Sequence, residues 1–342
     1  MEFELSEDQR LMQEAVSELL AKECPHEALA DAWETETGSV AGLWDHLAEL
    51  GILGLTTPES HGGLGLGPID LVLLLEECGR HAVPEPIADI VAVGAPLLAE
   101  LAGPVADQWL PKIAAGEARV AIGLDCSPVV AHAASADLLL LQHGDEIHAV
   151  APDAVKLTRQ QSVDGGRRAH HVAWEPSDAT RIASGSEGRA AARRAFDRGA
   201  AAAAAELLGL GRQLIDLTVE YAKGRVQFGQ PIGAFQAVKH HLANAHTKLE
   251  VARPPVYHAA YSIQHESERT PLDVSTAKAL AGDAAHLCFR TALQCHGAIA
   301  YTYEYHAHMW MKRVLVLERQ YGDARYHRAR AATQLGVTSG PG

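Results

Sequence analysis

Apolar residues recur at helical spacing along most of the first third of the chain. Over residues 3–24, Leu11, Ala15, Val16, Leu19 and Leu20 fall on one face, and Ser6 followed by two acids is typical of a helix N-cap. The pattern over 69–80 is apolar on most sides, which predicts a buried helix. Further helices are predicted over residues 40–50, up to 101, and 109–115.

The period changes after residue 118. Short apolar or alternating runs follow, separated by Gly, Pro, Asp and Ser, as is typical of strands joined by turns. The runs are 120–124, 137–141, 147–150 and 169–174. They predict a small β domain of about five or six strands that ends near Arg181.

From about residue 187 the helical period returns. Residues 189–223 are rich in alanine, which allows helices to approach closely. Pro254 and Pro255 are predicted to kink or break the helix over 239–266, and later helices are predicted over 271–296, 304–320 and 324–334. The whole pattern predicts a mainly α fold with a small β domain. The predicted domains are an N-terminal helical domain at 1–117, a middle β domain at 118–184 and a C-terminal helical bundle domain at 185–342.

Composition narrows the range of partners. The 342-residue chain has a formal net charge of −14, which argues against nucleic acid as a partner. Its five cysteines are dispersed without a CxxC pair, as expected of reduced thiols in the cytosol. Acidic rather than apolar residues follow Met1, and no apolar run is long enough to span a bilayer. We therefore expect a cytoplasmic protein with no membrane segment.

The histidines do not form a recognisable metal motif. The densest set contains neither HExxH nor an i, i+4 pair with a third carboxylate ligand. Its members are His240, His241, His246, His306 and His308. No metal site is predicted.

The segment Arg225 to Asn244 joins two long helical patterns. Its first part, RVQFGQPIGAFQ at 225–236, is broken by Gly and Pro and predicts a tight turn between helices. Arg225 offers a planar fork of donors beside small residues, a combination that suits a phosphate-bearing ligand. A helix connection whose arginine points to solvent is the competing interpretation.

Two more segments have distinctive glycine spacing. PESHGGLGLG occupies 58–67, and QCHGAIAY occupies 294–301. With RVQFGQPIGAFQ, they resemble the PE-x-x-GG-x-G, Q-x-x-GG-x-GY and R-x-x-FG-x-x-I-x-x-FQ segments of acyl-CoA dehydrogenases. The order of helical, β and helical regions also agrees. The sequence is therefore similar to this superfamily over nearly its whole length.

The resemblance implies a fold with a middle β-barrel-like domain and a C-terminal four-helix bundle, FAD as cofactor and an acyl-CoA as substrate. In the family, the matching arginine reaches across a dimer interface to the flavin pyrophosphate, and the matching phenylalanine lies near the adenine-bearing half. Arg225, Phe228 and Gln236 are therefore expected to contact FAD.

The 294–301 segment corresponds to the turn that touches the adenosine part of FAD. Gln294, Gly297 and Ala298 are the candidate contacts. Ala298 and Ala300 stand where the family pattern has glycine, so the backbone approach is expected to differ in detail.

The chain departs from the family where the flavin ring is held. Residues 122–134 contain neither the Glu-Pro pair nor the Gly-Ser-Asp of the family, and residues 147–152 lack its tryptophan. The half of the site that serves the flavin ring is therefore expected to be degenerate.

The catalytic carboxylate of the family is also missing from its usual places. Counting from the Lys312-Arg313 pair puts one family location at Gly322, beside Asp323. Asp323 is one methylene shorter than Glu, and an N-cap for the last helix is its favoured interpretation. The second family location falls at Gly199, where the nearest carboxylates, Asp197 and Glu206, match poorly.

Together these features resemble one subunit of the heteromeric (α2β2) steroid side-chain acyl-CoA dehydrogenases of actinobacteria. That resemblance implies a homologous partner subunit that supplies the ring pocket and the Glu base, one FAD per heterodimer, and an electron-transfer flavoprotein as acceptor.

Three alternatives stay open at this point. The first is a homomeric acyl-CoA dehydrogenase that uses Asp323 as its base. The second is a non-catalytic scaffold paralogue that binds no flavin. The third is a flavoprotein monooxygenase of the same fold.

Overall fold

The computed structural model describes residues 5–337. The α-helices are α1 (Glu7–Glu23), α2 (His26–Glu34), α3 (Leu43–Glu49), α4 (Pro68–Arg80), α5 (Ala95–Leu101), α6 (Gly103–Ala114), α7 (Gly185–Gly224), α8 (Gln236–Gln264), α9 (Thr270–His296), α10 (Ala307–Leu317) and α11 (Ala324–Gln334). The strands are β1 (Val120–Gly123), β2 (Val130–Ala131), β3 (Leu138–His143), β4 (Glu146–Val150), β5 (Lys156–Gln160), β6 (Ala169–Ala173), β7 (Arg181–Ala183), β8 (Val226–Gln227) and β9 (Gln230–Pro231). The mainly α fold with a small β region is confirmed.

The long helices lie close to where the hydrophobic period predicts them. α1 begins with a capping box, in which the Ser6 hydroxyl accepts from the Gln9 N–H and the Gln9 side chain accepts from the Ser6 N–H. The sequence analysis missed α2, a nine-residue helix whose buried face consists of Leu29 and Ala32. Such a short helix gives too few apolar repeats to be recognised.

The described chain divides into two compact units, each built from separated segments. The first comprises Met1–His26, Val72–Val83 and Ala203–Gly342, and the second comprises Glu27–Leu71 and Pro84–Ala202. The three-domain boundaries at 1–117, 118–184 and 185–342 stay a prediction, and their outermost residues, 1–4 and 338–342, lie outside the described residues.

The second unit contains both larger sheets. A four-stranded sheet has the order β1-β3-β4-β7, with β1 parallel to β3 and the other pairs antiparallel. A three-stranded antiparallel sheet has the order β2-β6-β5. Their shared core includes Val130, Leu139, Leu141 and Val150, with Trp174 packed against it.

The first unit is a helical bundle with an alanine-rich core, in which α9 packs against α8, α10 and α11. Close approach within it depends on glycine. A Cβ at Gly79 would overlap the main-chain oxygen of Glu206, and a Cβ at Gly209 would overlap that of Glu76. At these two positions the backbones of α4 and α7 lie so close together that only glycine fits.

α8 runs unbroken from Gln236 to Gln264 through Pro254 and Pro255, so the predicted break is wrong. Proline removes one hydrogen bond to the carbonyl four residues earlier. Here those carbonyls belong to Glu250 and to Val251, whose side chain is 62% exposed. Solvent can satisfy carbonyls on this outer face, while packing against α9 holds the helix together.

Within residues 5–337, none of the helices is long and apolar enough to cross a membrane.

Candidate cofactor-binding segments

The segment predicted to bind a phosphate forms a short hairpin at the end of α7. β8 and β9 pair with Val226 opposite Pro231 and Gln227 opposite Gln230. The two residues of the turn, Phe228 and Gly229, have φ of 53° and 82°. Positive φ at both central residues is the geometry that favours a tight hairpin, and a phenylalanine there is strained. The chain therefore holds Phe228 in an unfavourable conformation at a hairpin tip.

The side chain of Phe228 is 93% exposed. Its ring meets that of Phe235 edge-on, with centroids 6.2 Å apart. An aromatic side chain projected this far into solvent has lost nearly all the burial that normally stabilises it. Such a residue is suited to contact another molecule.

The backbone of Arg225 is held by hydrogen bonds, while its side chain has no polar partner within residues 5–337. Its N–H donates to the Tyr221 oxygen at 2.8 Å, and its carbonyl accepts from Ile232 at 2.8 Å. The guanidinium is exposed and makes no hydrogen bond or ion pair with residues 5–337. By contrast, Lys223 donates to Glu220 at 2.6 Å. The arginine is available for an external anion.

Gln236 is the first residue of α8 and is exposed. The preceding residue, Phe235, provides no side-chain cap, and the first turn contains no acid. The first amides of this helix are therefore free of side-chain partners within the described chain, which favours negative charge nearby.

The Gln294–Ala298 segment lies where α9 ends. Gly297 follows the helix with φ of 67°, and a Cβ added there would meet nothing within 4 Å. Gln294, Gly297 and Ala298 are all exposed. This turn is an open backbone surface, as a ligand that packs against main chain requires.

A buried aromatic contact brings the two segments together. The His296 ring lies 4.4 Å from that of Tyr221, one turn before Arg225, and 4.7 Å from that of Tyr305. His296 Nδ1 donates to the Ala292 oxygen at 2.8 Å, and Nε2 has no hydrogen-bond partner. Burial lowers the pKa of His296, which favours its neutral form. Sequence reasoning missed this histidine because nothing local signals a contact with a residue 75 positions away.

Asp323 is the N-cap of α11. Its carboxylate accepts from the Tyr326 N–H at 2.8 Å, as the favoured interpretation of this residue expects. The Gly322 position just before it has φ of 90°, and a Cβ there would overlap the Tyr326 ring. A side chain at this position, where the sequence analysis expects the family's glutamate, would therefore need a strained backbone and a displaced Tyr326 ring.

The same loop is anchored from inside the bundle. Lys278 is 1% exposed, and its Nζ donates to the main-chain oxygens of Glu318 and Gly322, both at 3.0 Å. His327 Nε2 donates to the Tyr321 oxygen at 2.8 Å. Burial lowers the pKa of Lys278 to about 7, and burial with the nearby Lys278 charge lowers that of His327 to about 4. Burial therefore disfavours the charged form of each group, and the hydrogen-bond acceptors of both are main-chain carbonyls.

The other carboxylates considered for a base, Asp197 and Glu206, lie on α7 and are 6% and 7% exposed. Gly199 is also buried. These positions are interior ones on a packed helix.

The segment after β1, where the sequence analysis expects a degenerate flavin-ring pocket, makes its polar contacts with the neighbouring strand and turn. Asp125 Oδ2 accepts from the Gly144 N–H at 2.9 Å, and its N–H donates to Gln142 at 3.2 Å. A Cβ at Gly123 would overlap Leu141 and Val130. The polar groups and the small residue at the end of β1 thus serve the sheet itself.

Two glycine-containing segments have structural explanations. In the 58–67 loop, a Cβ at Gly63 would overlap the main-chain oxygen of Thr57. In the Asp164-Gly-Gly-Arg-Arg turn, Arg168 is 7% exposed and donates to the main-chain oxygens of Trp33 at 2.7 Å and Glu36 at 3.1 Å. Gly63 thus permits a tight local turn, and Arg168 holds the distant backbone of residues 33–36.

The five cysteines are free. Within residues 5–337 there is no group of three or more His, Cys, Asp or Glu side chains arranged to hold a metal ion.

Comparison with known proteins links these segments to one family. A family model described as acyl-CoA dehydrogenase, N-terminal domain, matches residues 6–117, and one described as acyl-CoA dehydrogenase, C-terminal domain, matches residues 186–336. Acyl-CoA dehydrogenase IpdE2 of Mycobacterium tuberculosis is 33% identical over 313 residues, which cover 90% of this chain and 91% of that protein.

Solved structures extend the likeness to the whole fold. A chain of the ChsE4-ChsE5 complex from Mycobacterium tuberculosis has a TM-score of 0.89 at 24% identity, covering 100% of both chains. A chain of the Tcur3481-Tcur3483 steroid ACAD G363A variant has a TM-score of 0.87 at 24% identity, covering 98% of this chain and 99% of that one. The two family matches and the IpdE2 relative show that this chain belongs to the acyl-CoA dehydrogenase family, whose members are oxidoreductases acting on CH–CH bonds.

Proposed function

We propose that this chain is one subunit of a FAD-dependent acyl-CoA dehydrogenase, and that it supplies the pyrophosphate and adenosine half of an FAD site. A homologous partner chain completes the site with the ring pocket and the carboxylate base. The expected assembly is α2β2 with one FAD per heterodimer. The substrate is an acyl-CoA thioester with a steroid side chain as its acyl group, and an electron-transfer flavoprotein accepts the electrons.

The observation that carries this proposal is the exposed, uncommitted guanidinium of Arg225 beside an exposed Phe228. A cation and an aromatic ring held outward from a fixed backbone are suited to a phosphate and an adenine of a cofactor bound mainly by another chain. The open backbone at Gly297, close to the same end of the bundle, fits the adenosine part. The residues that remain in this chain therefore fit that half of FAD.

The candidate positions for a base and for a ring pocket support assigning the other half of the FAD site to a partner chain. FAD supplies the hydride acceptor of α,β-dehydrogenation, but the reaction also needs a carboxylate to take the α-proton. Residue 322 is a glycine at a φ of 90°, where a side chain would be strained, and Asp323 is engaged as a helix cap. Asp125, which follows β1, is bonded to Gln142 at the end of β3 and to Gly144 in the turn before β4. A partner chain is therefore required for both the ring pocket and the base.

The steroid side chain rests on likeness alone. One structural relative is described as a steroid ACAD, and the resemblance of the sequence is to the same heteromeric group. Turnover of acyl-CoA thioesters with steroid and with linear acyl groups by the purified complex separates this substrate class from others.

The central test compares the chain alone with the chain co-expressed with a homologous partner. We expect the chain alone to be colourless and inactive, and the complex to hold one FAD per heterodimer by absorbance. An active, yellow preparation of the chain alone would overturn the proposal.

Arg225→Ala in the complex tests the cofactor contact directly. We expect FAD retention to weaken about tenfold or more, because a charged hydrogen bond contributes about 1.5–3 kcal/mol. Lys223→Ala is the matched control, since this exposed cation is two residues away and already paired with Glu220. Equal FAD retention in the two variants would count against the role of Arg225.

A further inference from the structure

His296 is a buried polar side chain at the last position of α9, directly before the Gly297 turn. It is 5% exposed, and its Nδ1 donates to the Ala292 oxygen at 2.8 Å, within its own helix. Nε2 has no hydrogen-bond partner within residues 5–337. Because a buried polar atom without a partner is unfavourable, hydrogen bonding alone does not explain why this ring is buried.

The imidazole of His296 belongs to a compact cluster of three rings. The centroid of the Tyr221 ring lies 4.4 Å from that of His296 at an interplanar angle of 31°, and the centroid of the Tyr305 ring lies 4.7 Å from it at 40°. The two tyrosine centroids are 5.8 Å from each other. Each pair of rings is therefore in contact, and we call these three side chains the ring cluster.

Two rings of the cluster belong to the two segments proposed to contact FAD. Tyr221 lies near the end of α7, and its main-chain oxygen accepts from the Arg225 N–H at 2.8 Å. His296 ends α9 and is followed by Gly297, whose open backbone is the proposed adenosine contact. The ring cluster therefore joins the start of the hairpin that carries Arg225 to the Gly297 turn.

The third ring fixes the cluster to the interior of the helical bundle. Tyr305 stacks on His306 with centroids 4.9 Å apart, and His306 meets the edge of Trp310 at 5.9 Å. Trp310 is 4% exposed, and its Nε1 donates to the Arg80 oxygen on α4 at 2.7 Å. Both candidate segments are thereby held against the same part of the packed core.

A cofactor that contacts both segments requires a fixed separation between them. Segments already held at that separation bind the cofactor more tightly, because less conformational freedom is lost on binding. Side chains that touch no ligand provide this order when they lock the groups that do. The ring cluster is placed to do so for the two proposed FAD contacts.

We propose that His296 is a positioning residue for FAD. Its imidazole packs between the ends of α7 and α9 and so sets the separation of Arg225 from the Gly297 turn. The inference rests on the proposed function, because those two contacts are the ones assigned to the pyrophosphate and the adenosine of FAD. It adds a residue that acts on cofactor affinity through ring packing and not through a contact with the cofactor.

The first test measures the dissociation constant of FAD from the heteromeric complex by flavin fluorescence titration. We expect His296→Ala to raise this constant about tenfold or more, because the missing ring lets the two segments shift. His296→Phe should keep it within about threefold, because a ring of similar size refills the cluster and needs no partner for Nε2. A His296→Phe complex that binds FAD as weakly as His296→Ala would contradict ring packing as the cause.

A double-mutant cycle with Arg225→Ala separates positioning from a general loss of stability. If His296 acts through the placement of Arg225, then Arg225→Ala should cost at least about threefold less FAD affinity in the His296→Ala background than in the wild type. Leu249→Ala is the control, because this residue of α8 is 0% exposed and its truncation lowers stability in the same unit. Arg225→Ala should keep its full effect in the Leu249→Ala background.

Two sets of outcomes distinguish this inference from the proposed function. Unchanged FAD affinity in His296→Ala, or additive effects in the double-mutant cycle, would overturn this inference alone, provided that Arg225→Ala still weakens FAD binding. A wild-type complex that holds no FAD, or whose FAD affinity is indifferent to Arg225→Ala, would overturn the proposed function and this inference with it.

Discussion

At the scale of single residues, the chain separates side chains that face outward from those that hold the backbone. Arg225 and Phe228 are exposed and have few contacts of their own. Asp323 and Lys278 are tied into the loop before α11. A motif predicts residue types at positions, but these contacts decide which of them are available to a ligand.

Substitutions of Asp323 distinguish a role as helix cap from a role as catalytic base. Asn caps a helix nearly as well as Asp, whereas Ala does not. We expect Asp323→Ala to lower the free energy of unfolding by about 0.5–2 kcal/mol and Asp323→Asn to change it little. Both complexes should keep their dehydrogenase turnover, measured by acceptor reduction. Loss of turnover in the Asn variant with unchanged stability would instead identify Asp323 as the base.

At the scale of elements, long periodic helices are predictable and short or polar ones are not. β5 is mostly exposed and has one apolar residue, Leu157, and β7 has three residues, so neither gives a clear apolar run. α8 continues through two prolines because its outer face is solvated, which the sequence does not reveal. Motif spacing predicted the two candidate segments of the site, 225–236 and 294–301. It could not predict the contact of Tyr221 with His296, because that contact depends on tertiary packing.

Helix packing makes a prediction at this scale. Gly209→Ala should lower the free energy of unfolding by about 1–3 kcal/mol, because the new methyl overlaps the Glu76 carbonyl on α4. Gly282→Ala on α9 is the control, since it meets nothing and should raise helix stability by about 0.5–1 kcal/mol. Urea unfolding of both variants measures the contrast. A stabilising Gly209→Ala would contradict the close packing.

At the scale of the whole molecule, two buried bases make stability depend on pH. The folded pKa of His327 is about 4 and that of Lys278 is about 7, below their usual 6.5 and 10.5. Between each pair of values the unfolded chain binds more protons than the folded one. The free energy of unfolding should therefore rise with pH from about 4 to 6.5 and again from about 7 to 10.5.

One such group changes the free energy of unfolding by at most about 1.4 kcal/mol per pH unit. Urea unfolding at a series of pH values measures the slope. His327→Gln should reduce it in the acid window and Lys278→Met in the alkaline window. His308, whose pKa burial also lowers to about 4, keeps part of the acid slope in the His327 variant. Identical pH profiles for wild type and both variants would show that neither group is responsible.

The conformation of Gly322 bears on whether this chain can be redesigned as a self-sufficient enzyme. A glutamate at 322 would need a residue with a side chain to adopt φ of 90° against the Tyr326 ring, in a loop pinned by Lys278 and His327. A glutamate at this position is therefore expected to strain the backbone and displace the exposed Tyr326 ring, so that installing a base here calls for changes to the loop as well as to residue 322.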